Sequence, residues 1–559
     1  MKIQNYINCG IVFLMLFTLT NCEDLEYDET IGNSKEDVFS DFARSKSFLT
    51  GIYAYLPTDF NSVGGSMRSA ATDEAEYTSD LSDIQKFNDG IWSSIQPLDN
   101  VWSTMYTGIR ATNVFLKESE GQEFLQEQYN DNYKDIIAQY KNYPYEARFL
   151  RAFFYFELVK RYKNIPLVTT VLTPEEAVNV QQSSFEEVIN FIVSECDATA
   201  AVLPRSYANF TAAKETGRAT KGAAMALKAR ALLYAASPLH NSDPVDVTLW
   251  EKAAKAAKDI IDLNAYSLIT PYSTVVNNNA SVETIFDRRV APSNDFEKRN
   301  TAIGFEGGAS GTCPTQNLID AYEMSTNGLG INEIGSGYRS TSPYAQRDTR
   351  LAQTVITNGT AWKTIAVQTF IGGTNGLPIT NATKTGYYLR KYLIEAINLD
   401  PKLGAVTTRE HTWVIFRYAE VLLNYAEAMN EAYATPQTPP AGGGMTALEA
   451  VNIVRRRANG TRFVFPIGMT KEAFRTKLRN ERRVELAFED HRFWDVRRWK
   501  IGDQTKDIYA MKITRNPNLT LNFEKTLLET RKYEEKMNLY PIPQSEIFKN
   551  NNLQQNTGW

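Results

Sequence analysis

Asn480-Glu481-Arg482-Arg483-Val484-Glu485-Leu486-Ala487-Phe488-Glu489-Asp490-His491-Arg492-Phe493-Trp494-Asp495-Val496-Arg497-Arg498-Trp499-Lys500 is the stretch that decides the fold class of this chain. It contains no Gly or Pro, so its pattern predicts one uninterrupted helix. Val484, Leu486, Ala487, Phe488, Phe493, Trp494, Val496 and Trp499 carry too much apolar surface for a solvated charged helix. Carboxylates and guanidiniums alternate between them. Arg stays charged and clamps carboxylates through two parallel hydrogen bonds, so it packs beside aromatic rings without losing its partner. One reading makes Glu481, Glu485 and Glu489, four apart, an acid and base facing one cleft. The other makes them members of a buried ion-pair lattice that fixes the register of a helical domain. With so many Arg neighbours these carboxylates stay ionised, a poor state for a general acid. The lattice is the preferred reading.

Such a helix needs other helices to cover it, and the chain supplies them. Helical patterns run from Ser34 to Leu56, where Pro57 stops the first, then Val101–Lys117, Tyr145–Tyr162, Phe185–Leu203, Thr220–Ala236, Leu249–Leu263 and Trp413–Ala434. Small Ala residues recur where neighbours would touch. Trp250 followed by Ala253, Ala254 and Ala257, after an Ala-rich partner, resembles tetratricopeptide helix pairs. The expected fold class is mainly α, a tetratricopeptide-like helical-pair scaffold with an irregular loop-rich face and a few short strands. Residues 34–559 form a single domain, with scaffold mainly at 34–56, 99–265 and 411–500 and the loop-rich face mainly at 57–98 and 270–410.

Two segments carry that face. Thr58 to Gln96 is rich in Ser, Asp, Asn and Gly, holds Asp73-Glu74, and has isolated aromatics at Tyr77 and Trp92. It reads as a long ordered loop, and long loops in compact domains carry function. From about Thr270 to Arg409 the periodicity fades into Gly, Asn, Thr and Pro, with Phe296, Phe305, Tyr338, Tyr344 and Trp362 among polar neighbours. Singly these aromatics read as small local cores. As a set they mark the place to look for a ligand.

The bulk numbers narrow the function. A net charge of -5 gives no basic field for nucleic acid. With 29 Tyr, 28 Phe and 8 Trp the chain can build a large core or a surface that stacks sugar rings. Only 3 His are present, His240, His411 and His491, which argues against a His-based metal site or a Ser-His-Asp relay. Ile11 to Leu19 is apolar but too short to span a bilayer, and reads as a secretion signal. Leu19 stands three before Cys22, resembling a bacterial lipobox, although Asn21 departs from the usual small residue. Residues 1–21 are thus expected to be a lipoprotein signal peptide, with Cys22 lipidated. Glu23, Asp24, Glu26, Asp28 and Glu29 follow, and 22–33 resembles the acidic surface-export leader of some outer-membrane lipoproteins. Cys196 and Cys313 are left to pair or stay free. No cofactor is expected. Acidic loops are compatible with a structural calcium, but no twelve-residue helix-loop-helix ligand spacing occurs.

Several segments together resemble the SusD/RagB family of outer-membrane nutrient-binding lipoproteins. They are Trp102-x-x-Met105-Tyr106-x-x-Ile109-x-x-x-Asn113, Glu146 to Phe156 with Ile165-Pro166-Leu167-Val168, and Pro314-Thr315-Gln316-Asn317-Leu318-Ile319-Asp320. Gly386 to Tyr392, Arg417 to Ala428, Val451-Asn452-x-x-Arg455-x-Arg457-Ala458 and the stretch quoted first continue the match. Leu539-Tyr540-Pro541-Ile542-Pro543 and Asn551-x-x-Leu553-x-Gln555-Asn556-x-Gly558-Trp559 close it.

The resemblance implies a non-catalytic, lipid-anchored protein of the cell surface. It would capture an oligosaccharide ligand and pass it to a SusC-like TonB-dependent transporter. Family glycan sites draw on a loop before the first helix pair and on loops upstream of the Pro-Thr-Gln motif. By position that points to Asp73, Tyr77 and Trp92, and to Asn294, Phe296 and Phe305, with Trp92 foremost. Three alternatives remain open. One is a peptide- or protein-binding member of the same family. Another is a surface glycoside hydrolase using Asp73 and Glu74 or the glutamates around Glu485. The third is a purely structural lid with little affinity of its own.

Overall fold

The computed structural model describes residues 34–559 apart from 213, 243 and 244. The signal peptide, Cys22 and the acidic leader lie outside the described residues. Ser34 caps the first helix, α1 (Lys35–Phe39), in a reciprocal capping box with Asp37. Asp41 then caps α2 (Phe42–Tyr53) by accepting from the Arg44 amide, so the one helix expected over 34–56 is two.

The scaffold helices follow as α3 (Trp102–Glu118), α4 (Tyr143–Tyr162), α5 (Phe185–Val202), α6 (Lys221–Ala236) and α7 (Val247–Ile261). Each packs on the next in chain order, as helical pairs do. Buried Ala223, Ala226, Ala253, Ala256 and Ala257 let α6 and α7 approach closely. α4 is the axis of this stack. Every residue from Phe149 to Tyr162 is buried, as expected of a helix that is apolar on all sides. Its charges are paired: Glu157 holds Lys160 at 2.6 Å and Arg161 at 2.7 Å within the helix, while Arg148 and Arg151 reach Glu195 of α5 at 2.8 Å each.

After a short strand β1 (Ala75–Tyr77) in the first loop segment, the strands longer than two residues before the last helices are β2 (Thr284–Ser293), β3 (Thr312–Pro314) and β4 (Arg409–Arg417). β1 pairs antiparallel with β3, and β4 with β2. Residues Trp413–Arg417 therefore belong to a strand, not to the helix expected from Trp413. Trp413-Val414-Ile415-Phe416 is a β-branched and aromatic run with β2 available to pair with it. The helix begins only at Tyr418, as α8 (Tyr418–Ala432), which packs on α7 although the whole segment from Asp262 to Arg417 intervenes. α9 (Ala447–Asn459) and α10 (Lys471–Glu485) complete the stack.

The continuous helix expected over Asn480–Lys500 is also corrected. α10 ends at Glu485, and α11 (Arg492–Arg498) resumes after a turn in which Phe488 and Asp490 both take φ +61. Left-handed backbone at non-Gly residues costs about 1 kcal/mol each. Ion pairs made by the turn offset it: Glu489 meets Arg417 and Lys391 at 2.6 Å each, and Asp490 meets Arg68 at 2.5 Å. Tertiary charge pairing wins over local propensity here.

The lattice itself is present. Arg350 bridges Asp348, Glu481 and Glu485 at 2.6, 2.5 and 2.8 Å. Arg417 bridges Glu283, Glu485 and Glu489 at 2.7, 2.7 and 2.6 Å, and Arg455 joins Glu481 to Glu323 at 2.7 Å each. Burial pushes the Glu485 carboxyl up, but Arg457, Arg417 and Arg350 outweigh it and hold it well below the usual carboxylate range. A C-terminal hairpin, β5 (Asp507–Arg515) with β6 (Leu521–Thr530), closes the fold.

Candidate ligand face

The two loop segments, remote in sequence, form one layer. The β1–β3 ladder sets Ala75 opposite Pro314, Glu76 opposite Cys313 and Tyr77 opposite Thr312. It is extended at both ends: the Thr78 amide donates to Gly311, and the Thr315 amide to Glu74. Asn300 Nδ2 donates to Asn61 Oδ1 at 3.0 Å, tying the second segment to the first again.

Most of the expected site residues lie inside this layer rather than on it. Phe296 is buried with its ring 4.9 Å from Phe60, in an aromatic cluster with Tyr392 and Trp413. Asn294 is buried and donates to the Thr407 carbonyl at 3.0 Å. Asp73 is 4% exposed, and Arg492 donates to both of its oxygens at 2.9 Å. Burial would raise Asp73, but Arg483 and Arg492 bring it down to about 2. Glu74 beside it goes the other way. Burial pushes it up to about 8, Arg483 and Arg492 opposing only in part, and its Oε1 has no hydrogen-bond partner.

Trp92 is not in this layer at all. It is 3% exposed, with its ring centroid 4.5 Å from Trp559, 4.9 Å from Phe87 and 5.1 Å from Tyr540. The expectation that Trp92 and Phe296 offer ring faces to a ligand is therefore corrected. A large aromatic in a polar loop gains more by pinning that loop to the core than by standing in water.

Two expected residues reach the surface, both beside β3. Tyr77 is buried along its ring, but its hydroxyl meets the exposed Arg299 at Gly65. A Cβ on Gly65 would fall 2.8 Å from Arg299 Nη1 and 3.1 Å from the Tyr77 oxygen, and its φ of +87 suits only glycine. Phe305 is half-buried, one face against a cluster that includes Cys313, Trp362 and Tyr388. Its loop is pinned to the 371–376 loop by Asn375 Nδ2, which donates to the Ile303 carbonyl at 2.6 Å. That neighbouring loop exposes Ile371, Leu377 and Ile379.

A second half-exposed aromatic group consists of Tyr344 and Phe523, 5.8 Å apart edge to face. Tyr344 is marked in the sequence by its polar surroundings. Phe523 carries no such mark, because it comes from the β5–β6 hairpin, where only its alternation within β6 distinguishes it. Cys196 and Cys313 are both buried free thiols and do not pair. Among the described residues no three His, Cys, Asp or Glu side chains are grouped to hold a metal ion, and no helix is long and apolar enough to cross a membrane.

Comparison with known proteins agrees with this architecture. The model of the SusD family matches residues 274–559, and one described as "Starch-binding associating with outer membrane" matches residues 28–233. SusD-like protein P25 of Formosa agariphila is 24% identical, covering 98% of this chain and 97% of the relative. A crystal structure of a SusD-like protein from Bacteroides fragilis superposes with a TM-score of 0.77 at 27% identity, covering 95% of this chain and 99% of that one. Another from the same species, titled a SusD-like carbohydrate binding protein, gives 0.75 at 25% identity, covering 92% of this chain and 100% of that one. With a helical-pair stack, a loop layer closed by β1 and β3, and a family match over more than half its length, the chain belongs to the SusD/RagB family.

Proposed function

We propose that this protein is a cell-surface lipoprotein, anchored through Cys22, that captures oligosaccharide or polysaccharide and passes it to a TonB-dependent outer-membrane transporter. The observation that carries the reading is the loop layer around β3. It holds half-exposed Phe305 and the Tyr77–Arg299 pair on a rigid support, beside loops rich in hydroxyl and amide groups. A sugar's apolar face stacks on such a ring while its hydroxyls bond the polar rim. The carbohydrate-binding title of the related B. fragilis structure and the outer-membrane description of the family support the same reading.

Binding without turnover is part of the proposal. Glycoside hydrolysis needs two carboxyl groups flanking one bond. Asp73 and Glu74 are both buried, and Glu481, Glu485 and Glu489 are enclosed with their guanidiniums. In this proposal Asp73, Asn294 and Phe296 act as support beneath the ligand face, with the Tyr77 hydroxyl and Phe305 at its surface, and Trp92 only holds its own loop to the core.

Affinity electrophoresis against a panel of polysaccharides, with Phe305→Ala and Tyr344→Ala beside the unaltered protein, tests it. Retardation by one polysaccharide class, weakened in either variant, is the expected result. Retardation equal in all three proteins would remove these rings from the site. Binding of peptides but of no glycan would replace the ligand class, and release of reducing ends would overturn the non-catalytic role.

A further inference from the structure

Away from the loop layer, a cleft of about 580 Å³ opens between the C-terminal end of α2, the loop 215–218 and strand β2. A cavity of about 300 Å³ continues it, with Thr216, Gly217, Arg218, Asp287 and Arg289 common to both walls. Such volumes suit a small ligand or one or two units of a longer one.

The charge of this cleft is unbalanced. Lys46, Arg218, Arg288 and Arg289 line it against Glu215 and Asp287. Lys46 and Arg218 already hold acids. Both pair with Glu215, and Arg218 also meets Glu146 at 3.0 Å. Arg288 is different, and the only acid holding Arg289 among the described residues is Asp287, in a long ion pair. Arg288 donates to the Leu56 carbonyl and forms no ion pair among the described residues. Burial alone pushes its guanidinium down, with no acid beside it to restore it. Arg289 donates weakly to Thr216 Oγ1 at 3.2 Å and to the Asn279 carbonyl at 3.4 Å. Its Nε lies 3.6 Å from Asp287 Oδ1, too far for a hydrogen bond, and both atoms are buried without partners.

Local backbone holds this arrangement open. Gly217 has φ +95, and a Cβ there would come 3.3 Å from Arg289 Cζ, so the flat guanidinium lies against bare main chain. Two partly desolvated guanidiniums on one strand edge, with donors unused, are costly until an anion with several oxygens takes them. Arg is the side chain suited to that geometry, since its planar fork matches carboxylate and sulfate alike.

We propose that this cleft binds the acidic group of a saccharide, a carboxylate or a sulfate ester, through Arg288 and Arg289. The hydroxyls of Thr50 and Thr216 line the same space and take the sugar's own hydroxyls. The inference rests on the glycan-binding proposal and narrows the ligand to acidic glycans.

Titration calorimetry of the full chain tests it, with an oligogalacturonate, a sulfated carrageenan oligosaccharide, an uncharged malto-oligosaccharide of matched length, and inorganic sulfate. Arg288→Gln should weaken the preferred acidic oligosaccharide about tenfold, the loss of one charge-assisted hydrogen-bonding group. Asp287→Asn keeps the Oδ1 acceptor, removes a repelling charge, and should tighten the same ligand. Opposite signs in two neighbouring variants separate a binding role from damaged folding. The preference between the galacturonate and the carrageenan identifies carboxylate or sulfate as the group recognised. Unchanged affinity in Arg288→Gln would overturn the proposal, as would sulfate alone binding as tightly as the sulfated oligosaccharide. Binding of neutral but not acidic saccharides would overturn it and leave the glycan reading standing. Binding of no saccharide would overturn both.

Discussion

Asp73 and Arg492 are 419 positions apart in the chain, yet the Arg492 guanidinium donates to both Asp73 oxygens at 2.9 Å. Arg483 adds a contact to the same carboxylate at 3.1 Å. The first loop segment is thereby clamped to the end of α10 and the start of α11, and one end of the loop layer is set by the most charged part of the scaffold. Because the pair is buried, removing the acid strands two guanidiniums. Asp73→Ala should lower stability by about 3–5 kcal/mol, the range for breaking a buried ion pair from one side. Urea unfolding would show it as a lower midpoint at unchanged slope. A loss under about 1 kcal/mol would mean that the clamp is solvated.

Trp92 and Phe305 should separate a core aromatic from a surface one. Trp92 is enclosed by Phe87, Tyr540 and Trp559, so Trp92→Ala should cost about 3–5 kcal/mol through cavity formation. Phe305 keeps part of its ring in solvent, and Phe305→Ala should cost about 1–2 kcal/mol while weakening glycan binding. Thermal melting beside affinity electrophoresis checks both. A Trp92→Ala variant with normal stability and lost binding would move the ligand to the Trp92 cluster.

The scaffold was legible because burial and helical period coincide in it. Phe149–Tyr162 is wholly buried, its long apolar and aromatic run broken only by four paired charges, and Ala-rich α6 and α7 pack as their small residues imply. The ion-pair lattice was legible for a similar reason, since clustered Arg and Glu among aromatics have few other stable arrangements. The turn at Phe488–Asp490 was not, because contacts from Arg68, Lys391 and Arg417 decide it, and those residues are distant in the sequence. The loop layer was legible only as segments. Polar loops containing aromatics mark where a layer lies, but a ring's side of that layer depends on partners such as Phe60 for Phe296 and Trp559 for Trp92. The cleft at Arg288 and Arg289 left no sequence signal, because a lone Arg-Arg pair on a strand resembles any solvated edge.

Glu74 should make stability fall as pH rises. Its folded-state pKa is raised from 4.5 to about 8, so the folded form keeps a proton that the unfolded chain releases above pH 4.5. The favourable contribution is fully present below that value and is lost as pH climbs through about 8. Glu74→Gln removes the titration and keeps the shape. Its advantage over the unaltered protein should therefore grow from pH 5 to pH 8, reaching about 4 kcal/mol. Urea midpoints at those two pH values decide it. A constant difference would show that Glu74 titrates normally.

Arg417 should give the opposite pH signature. It holds Glu283, Glu485 and Glu489 together, and Glu485 sits well below its ordinary 4.5 because Arg457, Arg417 and Arg350 outweigh its burial. A depressed carboxyl contributes stability above its unfolded pKa, and that contribution declines as pH falls below about 4.5. Arg417→Met leaves three carboxylates short of a counter-charge and should cost at least about 4 kcal/mol at pH 7. At pH 3 the unfolded carboxyls are protonated and the native pairing matters less, so the gap between variant and parent should narrow. Arg417→Lys should recover only part of the loss, because an ammonium cannot present two parallel hydrogen bonds to Glu489 while reaching Glu283 and Glu485. Urea unfolding of the three proteins at pH 7 and pH 3 measures each term. Full rescue by lysine would show that one positive charge suffices and the guanidinium fork is not needed, whereas a gap that does not change with pH would show that Arg417 acts by filling space and not by neutralising the lattice.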